Sequence, residues 1–168
     1  MEAMLKNQIG SVRPTDMVKL CRQALEVTAE YHKKDIAACG VTLRGELPEG
    51  QLLHDVDADS LNRALIAVLT NAVYAVVKKY QRQEYAAEVV LKLSKISDSH
   101  IEIVVHDNGI GIEDAIVEKV FDPFFTTKTT AEASGVGLYL AKEIVQDHNG
   151  TIALRTEKDA YTDFIISL

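Results

Sequence analysis

Three stretches of this 168-residue chain hold side chains at spacings that could do chemistry. In "ALIAVLTNAVYAV", Asn71 shares a helical face with Ala64, Ala67, Val68, Tyr74 and Ala75, which are mostly small or apolar. An amide in such surroundings needs partners. It is either a core Asn bonded to nearby backbone or a magnesium ligand, because a neutral amide oxygen suits a hard cation also held by phosphates and water. In "VVHDNGIGIED", Asp107 ends a strand and is followed by Gly109 and Gly111. Asn108-Gly109 is a strong hairpin signal, yet no return strand follows at once. The alternative to a plain turn is a carboxylate that accepts a hydrogen bond from an exocyclic amine, with glycines making room for the ring. In "FDPFFTTKTTAEASGVGLYL", Phe121, Phe124 and Phe125 fall within five residues, ahead of Lys128 and of a helix opened by Ser134-Gly135-Val136-Gly137-Leu138. The phenylalanines read as core or as an anchor, and Ser134 as an N-cap. The free N–H groups of the same helix start also form an anion site.

These residues need elements to hold them. Thr15-Asp16 caps an apolar-periodic helix expected to run to about Ala38, with Gly40 as its stop. "VTLRGEL" alternates as a strand, and Asp59-Ser60 caps a second helix whose Leu61, Leu65, Val68, Leu69, Ala72 and Val76 keep helical spacing to about Tyr80. "AEVVLKLSKI" and "HIEIVVHD" read as strands, Gly135 to His148 as a third helix, and "GTIALRTEK" with "AYTDFIISL" as an antiparallel pair. Asn149-Gly150 fits a helix C-cap beside His148. The expected fold is α+β, with a mixed, mostly antiparallel sheet and the helices on one face.

The totals exclude several classes. Hydrophobic residues make up 47% of the chain, which rules out disorder, and the length suits one domain. A net charge of −7 argues against nucleic acid as a partner. The apolar segment from Leu61 to Val77 is interrupted by Asn62, Arg63, Thr70 and Asn71, so no membrane span and no direct membrane contact is expected. Cys21 and Cys39 lack metal-ligand spacing and read as reduced core thiols, in keeping with a cytoplasmic protein.

Each stretch is weak singly, but together they occur in a definite order: helix Asn, strand-end Asp-x-Gly-x-Gly, Phe-rich segment, glycine-opened helix. In that order the chain resembles the ATP-binding catalytic domain of bacterial sensor histidine kinases, members of the Bergerat-fold ATPases. The likeness covers about Thr15 to Leu168, with residues 1–14 as a lead-in, and "FDPFFTTK" looks closest to the nitrogen-regulatory type. The resemblance implies a two-layer α/β sandwich with three main helices. It also implies ATP and magnesium as cofactors, with Asn71 on the metal and Asp107 on adenine, flanked by Gly109 and Gly111. Phe124 and Lys128 fall in its phenylalanine motif, Lys128 near the phosphates. Ser134, Gly135, Val136, Gly137 and Leu138 form its second glycine motif, and Thr162 helps to bind adenine.

The implied reaction is transfer of the terminal phosphoryl group to a histidine, with Asn71 and Lys128 as the catalytic pair. The acceptor is missing from this chain: His32, followed by Lys33-Lys34, does not match the family's His-Glu or His-Asp motif. The implied partners are therefore a phosphoacceptor and dimerisation domain, in the same full-length protein or separate, and a downstream response regulator. The localisation is cytoplasmic, including the cytosolic part of a membrane-bound sensor. Ala67 stands where hydrolytic relatives carry a water-activating Glu. Tyr74 replaces a basic residue, with Lys78 one turn on, and Ala133 replaces a glycine. Those three departures favour a second reading, a nucleotide-binding pseudokinase acting as an interaction module. An anti-sigma-type serine kinase is a third, opposed by the phenylalanine motif.

Overall fold

In the computed structural model, which describes residues 10–123 and 137–168, a short strand β1 (Arg13–Asp16) runs straight into helix α1 (Met17–Tyr31). The Asp16 carboxylate caps α1 by accepting from the Val18 N–H at 3.1 Å. The single helix expected to reach Ala38 is instead broken at His32, where φ −110° and ψ 20° leave helical geometry, and it restarts as α2 (Lys33–Cys39). Strands β2 (Thr42–Glu46) and β3 (Leu53–Val56) follow, then the long helix α3 (Ala58–Arg82). Next come β4 (Glu88–Ser97), β5 (His100–Asp107), a 3-10 turn at Asp114–Lys119, helix α4 (Gly137–Asp147), and the pair β6 (Thr151–Glu157) and β7 (Tyr161–Ser167). Asn149 takes φ 61° just past α4, as a left-handed helix stop requires.

Two sheets result. β1 and β3 form a small antiparallel ribbon, and the expected boundary between residues 14 and 15 falls inside β1. The main sheet has the order β2-β4-β5-β7-β6, with β2 parallel to β4 and every other pair antiparallel. Its strands β5 and β7 alternate cleanly. Ile101, Ile103, Val105 and Asp107 of β5 are buried, as are Thr162, Phe164 and Ile166 of β7, while the residues between them are only half-buried. All three long helices pack on that buried side, giving the two-layer mixed sandwich that was expected.

Helix α3 is the spine of the helical layer. Leu61, Ala64, Leu65, Val68, Leu69, Ala72 and Val76 are wholly buried at helical spacing. By length and composition α3 could cross a membrane, but most of its apolar surface is spent inside this core. Cys21 and Cys39 are free and buried, and burial pushes the Cys21 thiol up to about 12.

Candidate functional site

Among the described residues, the carboxylate of Asp107 combines full burial with an unpartnered oxygen. Strand alternation on β5 aims it into the helix-facing layer, where it is fully buried. One oxygen, Oδ1, accepts from the Gly109 N–H at 2.9 Å, but Oδ2 has no partner among the described residues. Burial pushes this carboxyl up to about 7, against the lowering effects of the Gly109 N–H and of the nearby His106 and Lys79. A buried, unpartnered acceptor of this kind is costly, and it fits a ligand that brings a donor.

Thr162 stands directly across from Asp107 in the β5–β7 register, on the same buried face. Its hydroxyl lies 2.9 Å from that of Thr156 on β6, itself a hub. The Thr156 hydroxyl accepts from the Ile112 N–H and donates to the Tyr161 carbonyl, each at 2.9 Å. It thereby ties the loop after Asp107 to the β6–β7 hairpin.

Gly109 and Gly111 are needed for close backbone approach. A Cβ at Gly109 would lie 2.5 Å from the Ala75 carbonyl carbon, and one at Gly111 would overlap the Glu157 carbonyl oxygen. The segment is pinned on both sides, since Ile110 N–H donates to the Ala75 carbonyl at 3.3 Å and Asp159 N–H to the Ile110 carbonyl at 2.6 Å. Lys79 Nζ donates to the Asp159 carbonyl, also at 2.6 Å. Asn108-Gly109 makes no hairpin. The Asn108 side chain instead reaches back to β4, accepting from the Glu88 N–H and donating to the Ala86 carbonyl, each at 2.8 Å.

The other end of the site is set by α4. A Cβ on Gly137 would come 3.7 Å from the Ala67 Cβ, so the start of α4 rests on α3 at Ala67. Ala67, Asn71 and Ala75 are successive fourth residues on one face of α3. The α4 start and the glycine loop are thus separated by about 12 Å along the helix, with Asn71 midway. Asn71 is half-buried there. A helix start in general leaves N–H groups without intrahelical acceptors and carries a positive pole. On its other side α3 borders an open cavity of about 270 Å³ lined by His32, Thr70, Tyr74 and Lys78 among others. Lys78 Nζ sits 5.4 Å from the centre of the Tyr74 ring, beside the position expected to be basic.

Of the expected site residues, Asn71, Asp107, Gly109, Gly111, Gly137, Leu138 and Thr162 are therefore found around one face of α3 and the adjoining ends of β5 and β7. Phe124, Phe125, Lys128, Ala133, Ser134, Gly135 and Val136 lie outside the described residues. Phe121 is described and docks edge-on against the buried Phe164, 5.9 Å between ring centres, with Lys142 Nζ 5.6 Å from its own centre. Among the described residues, no group of three or more His, Cys, Asp or Glu side chains is placed to hold a metal. Sequence reasoning missed Thr156 and the Ala75 carbonyl, neither of which carries a local signal.

Known proteins resemble this chain in sequence and in fold. The sensor protein kinase WalK of Staphylococcus epidermidis is 30% identical over 141 residues, covering 82% of this chain and 22% of that protein. The signal transduction histidine-protein kinase AtoS of Escherichia coli is 36% identical over 98 residues, 58% of this chain and 15% of AtoS. The chain thus spans about a fifth or less of the length of these curated relatives. Their names do not distinguish the nitrogen-regulatory type. Among solved structures, the mycobacterial sensor histidine kinase MprB superposes with a TM-score of 0.74 at 24% identity, covering 94% of this chain and 96% of that one. A nucleotide-free catalytic domain of the histidine kinase ThkA gives 0.76 at 21% identity, with 95% of each chain covered. At such identities these two structures speak for the fold. The family model of the histidine kinase-, DNA gyrase B- and HSP90-like ATPases matches residues 56–168, two-thirds of the chain, and includes Asp107, Asn71 and the start of α4. The chain belongs to that ATPase family.

Proposed function

We propose that this chain is the ATP-binding, phosphoryl-donating domain of a sensor histidine kinase. ATP binding itself follows from family membership. The observation that carries the site assignment is the orphaned Asp107 Oδ2, buried opposite Thr162 at one end of an α3 face whose other end meets the start of α4. An amine-bearing base fits the first end. Phosphates fit the second, with its free N–H groups and positive pole. Asn71, between them, would hold magnesium together with phosphate oxygens, and that ion would supply charge neutralisation.

Phosphoryl transfer depends mainly on positioning and charge neutralisation. Asp107 and Thr162 orient the base, and Leu138 and Gly137 set the helix start over Ala67. Lys78 stands beside Tyr74 in place of the usual basic residue. Lys128, Phe124, Ser134, Gly135 and Val136, which lie outside the described residues, complete the proposed nucleotide-binding set. Ala67 offers no carboxylate to activate water, so transfer to a histidine rather than hydrolysis is the proposed reaction. The acceptor belongs to a phosphoacceptor and dimerisation domain, the next carrier is a response regulator, and the setting is the cytosolic side of a sensor. The nitrogen-regulatory type rests on "FDPFFTTK", Phe121 to Lys128.

The test is to mix the chain with γ-labelled ATP, magnesium and a helical-hairpin partner bearing the acceptor histidine. Acid-labile label on the partner is the expected outcome. Tight ATP binding with no transfer to any cognate hairpin would leave the interaction-module reading, which Ala67, Tyr74 and Ala133 favour.

A further inference from the structure

The hydroxyl of Thr156 lies within hydrogen-bond distance of three groups at once: the Ile112 N–H, the Tyr161 carbonyl and the Thr162 hydroxyl, all at 2.9 Å. A hydroxyl has one proton and two lone pairs. The Ile112 N–H can only donate, so it takes one lone pair. The Tyr161 carbonyl can only accept, so it takes the proton; otherwise two oxygens would face each other at 2.9 Å with nothing between them. The remaining lone pair is left for Thr162, which must therefore donate to Thr156. One assignment satisfies all three contacts, and it commits the Thr162 proton away from the site.

The Asp107 carboxylate offers no proton in its ionised form, and Thr162 makes no bond to it. Both side chains stand opposite each other on the helix-facing side of β5 and β7. The base-binding end thus presents lone pairs from two residues and no hydroxyl proton. An amine at the six-position of a purine carries two hydrogens and matches that pattern. A carbonyl at the same position meets only acceptors.

We propose that Thr156 is a positioning residue for nucleotide selection: by accepting the Thr162 proton it turns the lone pairs of Thr162 to the ligand, so that the site prefers a six-amino over a six-oxo purine. The inference rests on the nucleotide reading above and assigns its base selectivity to a residue that never touches the base. Nothing in the β6 sequence "TIALRTE" announces this role, because it depends on three partners from three segments.

The test measures affinities of the whole chain for ATP, ITP (six-oxo) and purine riboside triphosphate (neither group). Calorimetry at about pH 8 keeps Asp107 ionised, since burial places it at about 7. In Thr156→Val the Thr162 proton is released toward the ligand. The ratio of ATP to ITP affinity is expected to fall by about tenfold or more, and Thr156→Ser to restore it. A change that weakens ATP and ITP equally, or leaves the ratio unmoved, overturns the proposal. Should Thr156→Val fail to fold, Thr162→Val decides. It should weaken ATP while leaving ITP no weaker; equal weakening of both, or a larger loss for ITP, overturns the proposal. A wild-type chain that binds none of the three sinks the nucleotide reading, and this inference with it; ATP binding with an unmoved ratio sinks this inference alone.

Discussion

The Asp107→Asn variant is expected to lose about a hundredfold in ATP affinity while melting no lower than the wild-type protein at about pH 8. The two effects have one cause. Oδ2 is buried without a partner among the described residues, so the ionised carboxylate is a burden on the fold. An amide removes the charge but puts an N–H₂ donor where the ligand's amine must donate, because Oδ1 is held by Gly109. The same reasoning fixes the pH dependence. The folded protein holds the Asp107 proton up to about 7, whereas the ordinary value is 3.8. Between those values the folded state binds the proton and the unfolded chain does not, so this group's contribution to stability is lost as pH rises. ATP needs the carboxylate, so its affinity should rise through that window, by about tenfold per unit well below the upper limit, and level off above it. Asp107→Asn should flatten both trends. Calorimetric titration and thermal melts across the window check this; ATP affinity that ignores pH in the wild type would sink the assignment of Oδ2 to the base.

The second large effect is expected at Gly111. A Cβ there would overlap the Glu157 carbonyl oxygen and fall 2.8 Å from its carbon and 2.9 Å from the Lys158 Cα, at φ +69°. The neighbours are backbone and cannot swing aside. Gly111→Ala should cost about 2–5 kcal/mol, combining left-handed strain with overpacking, and lower Tm by on the order of 10 °C. Gly50 supplies the control. It has φ +78° with nothing within 4 Å of where a Cβ would stand, so Gly50→Ala carries the conformational part alone, about 1 kcal/mol. Denaturant unfolding of both variants isolates the steric part. If Gly111→Ala costs no more than Gly50→Ala, the β6–β7 turn does not clamp the glycine loop as described.

Much of this site is legible in the sequence. Asp107 is legible because a strand ends on a charged residue followed by two spaced glycines, although the apolar run Ile103-Val104-Val105 hides from the sequence which face it takes. Gly109 and Gly111 are legible as glycines, though what they make room for is backbone from α3 and from the β6–β7 turn, which no local pattern encodes. The break at His32 is not legible. Lys33, Lys34 and Asp35 carry no Gly or Pro to stop a helix, and the ring instead turns to Thr70 on α3, 3.2 Å from its hydroxyl. β1 and β3 escape notice because each has only four residues and leaves Arg13, Pro14 and Leu53 exposed, so no alternation marks them. The Asn108-Gly109 pair carries a true hairpin signal that tertiary bonding to β4 overrides.

The alternation of β5 also decides which changes of length this domain can inherit. Asp107 faces the helices and His106 faces the open side, where it bonds Asp163 at 2.6 Å. Inserting one residue between Ile101 and His106 would exchange the two, sending an imidazole toward the helices and the carboxylate to the open side. Two inserted residues would restore the parity. The sheet already carries one odd step, a register shift between Lys95 and Ser97, at the end of β4 remote from Asp107. Descendants of this chain are therefore free to lengthen or shorten around Asp98 and Ser99, and are held to even numbers within β5.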